Sequence, residues 1–191
     1  MKKLALALLL LAAPAAADSI CDIPPARWEA ELGPLLVGPW TFENGPGIGK
    51  IGTLVRPLPP EPDQSADVLP RDETLGMLLY SSEATFFYDI TFAPEQQWNF
   101  GGAPESPFAD LAQLSATDLA GLAGDDCAID DLPRVLMQAE VEIDGTPMET
   151  TIRLFMISED MLIGAGSWNM QPDGVPMEGR RVMRMTRIFV H

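Results

Sequence analysis

Between Arg134 and Ile143 the chain alternates. Val135, Met137, Ala139, Val141 and Ile143 take every second place, and Gln138, Glu140 and Glu142 stand between them. A period of two puts all the apolar side chains on one face of a strand, a pattern that a helix cannot satisfy. Asp144-Gly145 then turns the chain, a dipeptide suited to a tight hairpin. In residues 148–157, Ile152, Leu154 and Met156 share a face, and Ser158-Glu159-Asp160 turns the chain again. Met161–Met170 is a strand interrupted by glycine and containing Trp168; Pro172-Asp173-Gly174 makes a third turn, and residues 180–190 close the chain. Four consecutive strands joined by short turns make an antiparallel up-and-down meander.

The first half carries weaker strand signals. Residues 38–43 are short and aromatic, with Trp40 and Phe42 on one face, and the glycine-rich run 44–49 is expected to turn the chain. Ile51, Thr53 and Val55 alternate in a second strand over 50–56. Residues 57–70 hold five prolines and several acids, the composition of a surface loop. A third strand is expected over 75–80 and a fourth over 84–92, where Phe86, Tyr88, Ile90 and Phe92 share one face. Residues 93–133 break the pattern as a helical insertion, with a helix beginning near Ser115 and ending at Gly124. Before the first strand, Asp22 is expected to cap a short helix that carries Trp28 and Leu32 on one face and stops at Gly33-Pro34. The fold class is therefore mainly β, with about eight strands, enough to close a small barrel.

Residues 1–17 read differently. Lys2 and Lys3 precede an apolar run from Leu4 to Leu11, and Ala15-Ala16-Ala17 is a small-residue cleavage site. This is the pattern of a secretory signal peptide. It leaves one domain over 18–191 in an exported protein, with the periplasm as the first choice of compartment and secretion to the medium as the second. The apolar run is too short to span a membrane. Without Lys2 and Lys3, 10 of the 12 basic residues remain against 28 acidic ones, a net charge of −18. So acidic a surface repels nucleic acid and anionic lipid. Cys21 and Cys127 are the only cysteines, and outside the cytoplasm two cysteines are expected to pair.

Gly38-Pro39-Trp40 at the start of the first strand resembles the Gly-x-Trp signature of the lipocalins. The setting is similar too: a short helix before it, about eight antiparallel strands, and an arginine late in the last strand. The resemblance implies a barrel closed at one end, an apolar pocket that carries small hydrophobic molecules, and Arg184 or Arg187 packed across the Trp40 ring.

No residues assemble into a catalytic pattern. The only histidine is His191, the last residue, so a nucleophile activated by an imidazole is not expected. Nine methionines follow the leader, eight of them between Met137 and Met185. Thioethers can hold Cu(I), but methionines on alternating strand faces more simply fill a core or line a pocket. Asp125, Asp126, Asp130 and Asp131 crowd around Cys127 in a spacing that matches no calcium loop. Neither metal nor other cofactor is expected. Arg180 and Arg184 share one face of the last strand, Arg181 and Arg187 the other. Pairing with Glu140, Glu142 or Glu149 on neighbouring strands is the expectation for them.

The sequence thus points to a non-enzymatic exported protein that binds a small apolar or amphipathic molecule inside a barrel. Trp40, Phe86, Tyr88, Phe92, Met137, Leu154, Met156 and Trp168 are the candidate lining. The alternative is a structural or partner-binding envelope protein with a packed core; a carboxylate-pair enzyme is the third reading. The oligomeric state is left open.

Overall fold

In the computed structural model, which describes residues 19–72, 74–82, 85–96, 98 and 127–189, the alternating segments are strands. The expected C-terminal meander is present as β6 (Arg134–Ile143), β7 (Thr146–Ser158), β8 (Met161–Met170) and β9 (Met177–Arg187). Asp144 and Gly145 turn between β6 and β7 with φ of 49° and 77°, the left-handed pair that a two-residue hairpin requires. Upstream lie β1 (Gly38–Ile51), β2 (Leu54–Leu58), β3 (Gln64–Arg71), β4 (Thr74–Tyr80) and β5 (Thr85–Phe92). Every pairing between them is antiparallel. β1 bonds to β9 as well as to β2 and β3, and this contact closes the sheet on itself.

β2 and β3 lie end to end against one side of β1. β2 pairs with Gly47 to Ile51, and β3 with Gly38 to Phe42. They occupy one position around the barrel, so the result is an eight-stranded up-and-down barrel, as the patterning implies. Two expectations fail here for related reasons. The glycine-rich run 44–49 is not a turn; it continues β1 through a register shift between Asn44 and Gly47. Its glycines allow close approach: a Cβ on Gly47 would run into the Arg180 carbonyl oxygen of β9. Nor is 57–70 simply a loop. Only 59–63 interrupts the strand, and Pro57 is tolerated because β2 is an edge pairing with β1 alone. Arg181 holds the break. It donates to the carbonyls of Gly45 (3.3 Å) and Pro59 (2.9 Å) and to the Glu61 carboxylate, while Glu61 N donates to Asn44 O at 2.9 Å.

The N-terminal segment plugs the end of the barrel where β1 starts, β5 ends and β6 starts. It is not one helix. Two 3-10 turns lead into α1 (Trp28–Glu31) and α2 (Gly33–Leu36). Ser19, not Asp22, caps the first turn. Gly33-Pro34 opens α2 instead of stopping the chain, since proline is well placed in a first turn. Trp28 and Leu32 do share the buried face. Trp28 packs 6.3 Å from the Phe92 ring and lies under the Arg134 guanidinium.

A second apolar cluster lies outside the barrel. Phe155, Ile163 and Ala165 face outward from β7 and β8, and Leu132, Ile129 and Trp98 cover them. The Cys21–Cys127 disulfide belongs to this cluster, with Cα atoms 5.9 Å apart. It ties the N-terminal segment to the chain just before β6. The expected helix over 115–124 and the leader 1–17 fall outside the described residues.

β8 runs close to β7 at Gly164, where a Cβ would collide with the Arg153 carbonyl oxygen. Because backbone, not a movable side chain, is in the way, Gly164→Ala should cost about 1–3 kcal/mol as an overpacking change. Urea unfolding that leaves the midpoint unchanged would show that the ladder absorbs the methyl.

Candidate functional site

The lower half of the barrel is filled. Trp40, Met137, Leu154 and Met156 are wholly buried, together with Phe42, Met77, Leu162 and Met185. Arg187 lies across the Trp40 ring, 4.4 Å from its centroid, the contact implied by the resemblance. Its guanidinium donates to the carbonyls of Val37 (3.2 Å) and Leu35 and pairs with Asp160 at 3.4 Å. The Trp40 indole donates to Leu36 O at 2.8 Å. Arg184 points outward and pairs with Glu43, which also holds its guanidinium pKa up. For Arg181, Arg184 and Arg187 the partners are Glu61, Glu43 and Asp160 in place of the expected Glu140, Glu142 and Glu149.

Among the described residues, an open space lies on the side of the barrel, away from the plugged end. The β5–β6 ladder runs only from Asp89↔Gln138 to Phe92↔Val135. Extended by the same register, Tyr88 would face Ala139 and Phe86 would face Val141, but those pairings are not made. Among the described residues, 85–88 pair with β4 alone, and 139–143 with β7 alone. The strands part there, and a cleft of about 920 Å³ opens between them. Phe86, Ala139, Val141 and Thr150 line its inner side, while Phe87 and the carboxylates of Glu140, Glu142 and Glu149 form its rim. Its size falls within the range of small-molecule sites.

Of the eight residues expected to line a pocket, the cleft takes Phe86. Tyr88 stands behind it, 6 % exposed and hydrogen-bonded to Thr150. Phe92 packs at the plugged end, and Trp168 stacks over Gly179, where a Cβ would strike its ring. The remaining four are in the filled half. Sequence reasoning missed Phe87, Ala139 and Val141. Ala139 and Val141 were legible as inward-facing positions of β6, but nothing in the alternation says that the neighbouring strand leaves them.

Burial pushes the Tyr88 hydroxyl above the ordinary value of 10.0, and the hydrogen bond with Thr150 pulls the other way. With the folded pKa above the unfolded one, the stability linked to this proton is whole below pH 10.0 and fades as pH climbs through the folded pKa. Tyr88→Phe should therefore flatten the alkaline fall in Tm, as thermal melts from about pH 9 to 11 would read. Parallel alkaline limbs in the two proteins would contradict it.

Among the described residues no group of three His, Cys, Asp or Glu side chains gathers into a metal site, and no helix is long and apolar enough to cross a membrane. No protein-family model and no curated protein matches the sequence. Among solved structures, a redesigned β-barrel is similar at 10 % identity, covering 83 % of this chain and 96 % of that one, with a TM-score of 0.29.

Proposed function

We propose that this is an exported, lipocalin-like binding protein that takes the apolar part of a small amphipathic molecule into the cleft between β5 and β6. The observation that carries the reading is the cleft itself: Phe86, Ala139 and Val141 lie beside a parted ladder, and polar groups ring the mouth. The disulfide supports an oxidising, exported setting. The late arginine over the Trp40 ring supports the lipocalin-like comparison. Binding is passive: apolar ligand surface leaves water, contributing about 25 cal/mol per Å² before the costs of association. No catalytic step is part of the role.

One observation favours the second reading, a partner-binding envelope protein. The interior below the cleft is packed, so a ligand cannot sink to the centre of the barrel as in an open cup.

A neutral, apolar fluorophore, N-phenyl-1-naphthylamine, tests the first reading. Its emission should rise on titration with the protein. Ala139→Trp, which places an indole in the cleft, should weaken that binding by about tenfold or more, the equivalent of about 1.4 kcal/mol. Unchanged emission, or equal affinity in Ala139→Trp, favours the partner-binding protein instead.

A further inference from the structure

We propose that the parted edges of β5 and β6 accept an extended polypeptide segment as an added strand, one whose side chains alternate between apolar and basic; this rests on the reading of the cleft as a binding site. Three observations converge on it.

The first is the backbone. Among the described residues, 85–88 and 139–143 each have a ladder partner on one side only. Their other edges present backbone donors and acceptors to the cleft. Such groups seek partners, and an open edge is a template for a further strand. A small amphiphile would fill the volume and leave these groups to water; an extended peptide satisfies them while its side chains occupy the space.

The second is the alternation. Phe86, Ala139 and Val141 turn inward, and Glu140 and Glu142 turn outward. A strand laid between β5 and β6 would follow the same pleat. Every second side chain would meet Phe86, Ala139 and Val141, and those between would stand beside the carboxylates.

The third is the charge. Glu140 lies directly opposite Glu149 in the β6–β7 ladder. Like charges in that arrangement oppose each other, and no lysine, arginine or histidine is among the described residues lining the cleft. The nearby Arg71 is engaged by Asp89 at 2.7 Å and lies over the Phe87 ring. Glu149 receives the Asn169 amide at 3.2 Å, a neutral donor. A cationic side chain from an incoming strand would relieve the repulsion that the barrel itself leaves in place.

Three heptapeptides test this by calorimetry: one alternating lysine and valine, the same peptide with alternate backbone amides N-methylated, and one with glutamate in place of lysine. The lysine peptide should bind and displace N-phenyl-1-naphthylamine. N-methylation keeps every side chain and charge but removes backbone donors, so it should weaken binding by about tenfold or more. The glutamate peptide should not bind. In a Glu140→Lys/Glu142→Lys variant, both changes being on exposed positions, the preference should reverse. Equal affinity for the methylated and unmethylated peptides would overturn the added strand and leave only charge attraction. Tighter binding of the dodecyltrimethylammonium ion than of the peptide would overturn it in favour of small cations. If the fluorophore binds and the lysine peptide does not, this inference fails and the cleft reading survives; if neither binds, both fall.

Discussion

Trp40→Ala is expected to be the most damaging single substitution in the barrel, lowering stability by about 3–5 kcal/mol, the usual cost of emptying a large aromatic site. Trp40 is 0 % exposed, so no water takes its place without reorganisation. Two groups lose their partner with it. Leu36 O no longer receives the indole N–H, and the Arg187 guanidinium loses the ring beneath it. The plug and the barrel meet at this point, so the damage should reach α2. At this chain length Tm should fall on the order of 10 °C. Arg187→Met should cost less by itself, and the double variant should fall short of additivity by about 0.5–2 kcal/mol, the coupling expected of a cation over an aromatic face. Thermal and urea melts of the four proteins measure it. Strict additivity would mean that the stacked geometry contributes nothing.

The second large effect concerns the disulfide. Reducing Cys21–Cys127, or replacing both residues by serine, should lower stability by about 2–5 kcal/mol. The two residues are 106 apart in sequence, so the bond closes a long loop in the unfolded chain. Chain-entropy arithmetic for a loop near that length gives about 4.7 kcal/mol. The bond also holds the covering of Phe155 and Ile163 in place. Urea melts with and without reductant should show the loss, along with a change in m-value as the freed denatured chain expands. The cleft takes residues 138–142 of β6 and 149–151 of β7, away from Leu132 and Phe155 of the covered cluster, so a protein folded without the bond should keep its affinity for N-phenyl-1-naphthylamine. A midpoint insensitive to reductant would mean that the outer cluster holds without the cross-link.

Much of the barrel was readable where side chains alternate without interruption. The expected bounds of β6 and β8 coincide with the observed ones, because a period of two over ten residues has one structural meaning. β1 and β3 were misread at their glycines and prolines. Those residues usually mark turns, yet Gly47 serves the approach of the Arg180 backbone. The outer cluster left a trace that alternation analysis passes over. Leu154, Phe155, Met156 and Ile157 are apolar without a break, the pattern of a strand covered on both faces. Arg187 over Trp40 was available only through the family resemblance, which left Arg184 as an equal choice.

What the sequence determined by itself is the antiparallel meander, its inward residues and the pairing of its two cysteines. Each follows from near neighbours along the chain or from a count. What the tertiary structure alone decided is where neighbouring strands stop bonding to each other. Residues 139–143 alternate as cleanly as the rest of β6, yet their ladder to β5 stops at Asp89↔Gln138. Side-chain alternation sets which face of a strand is buried, whereas the length of a ladder is set by hydrogen bonds to residues far away in the chain. The cleft is a property of that second kind.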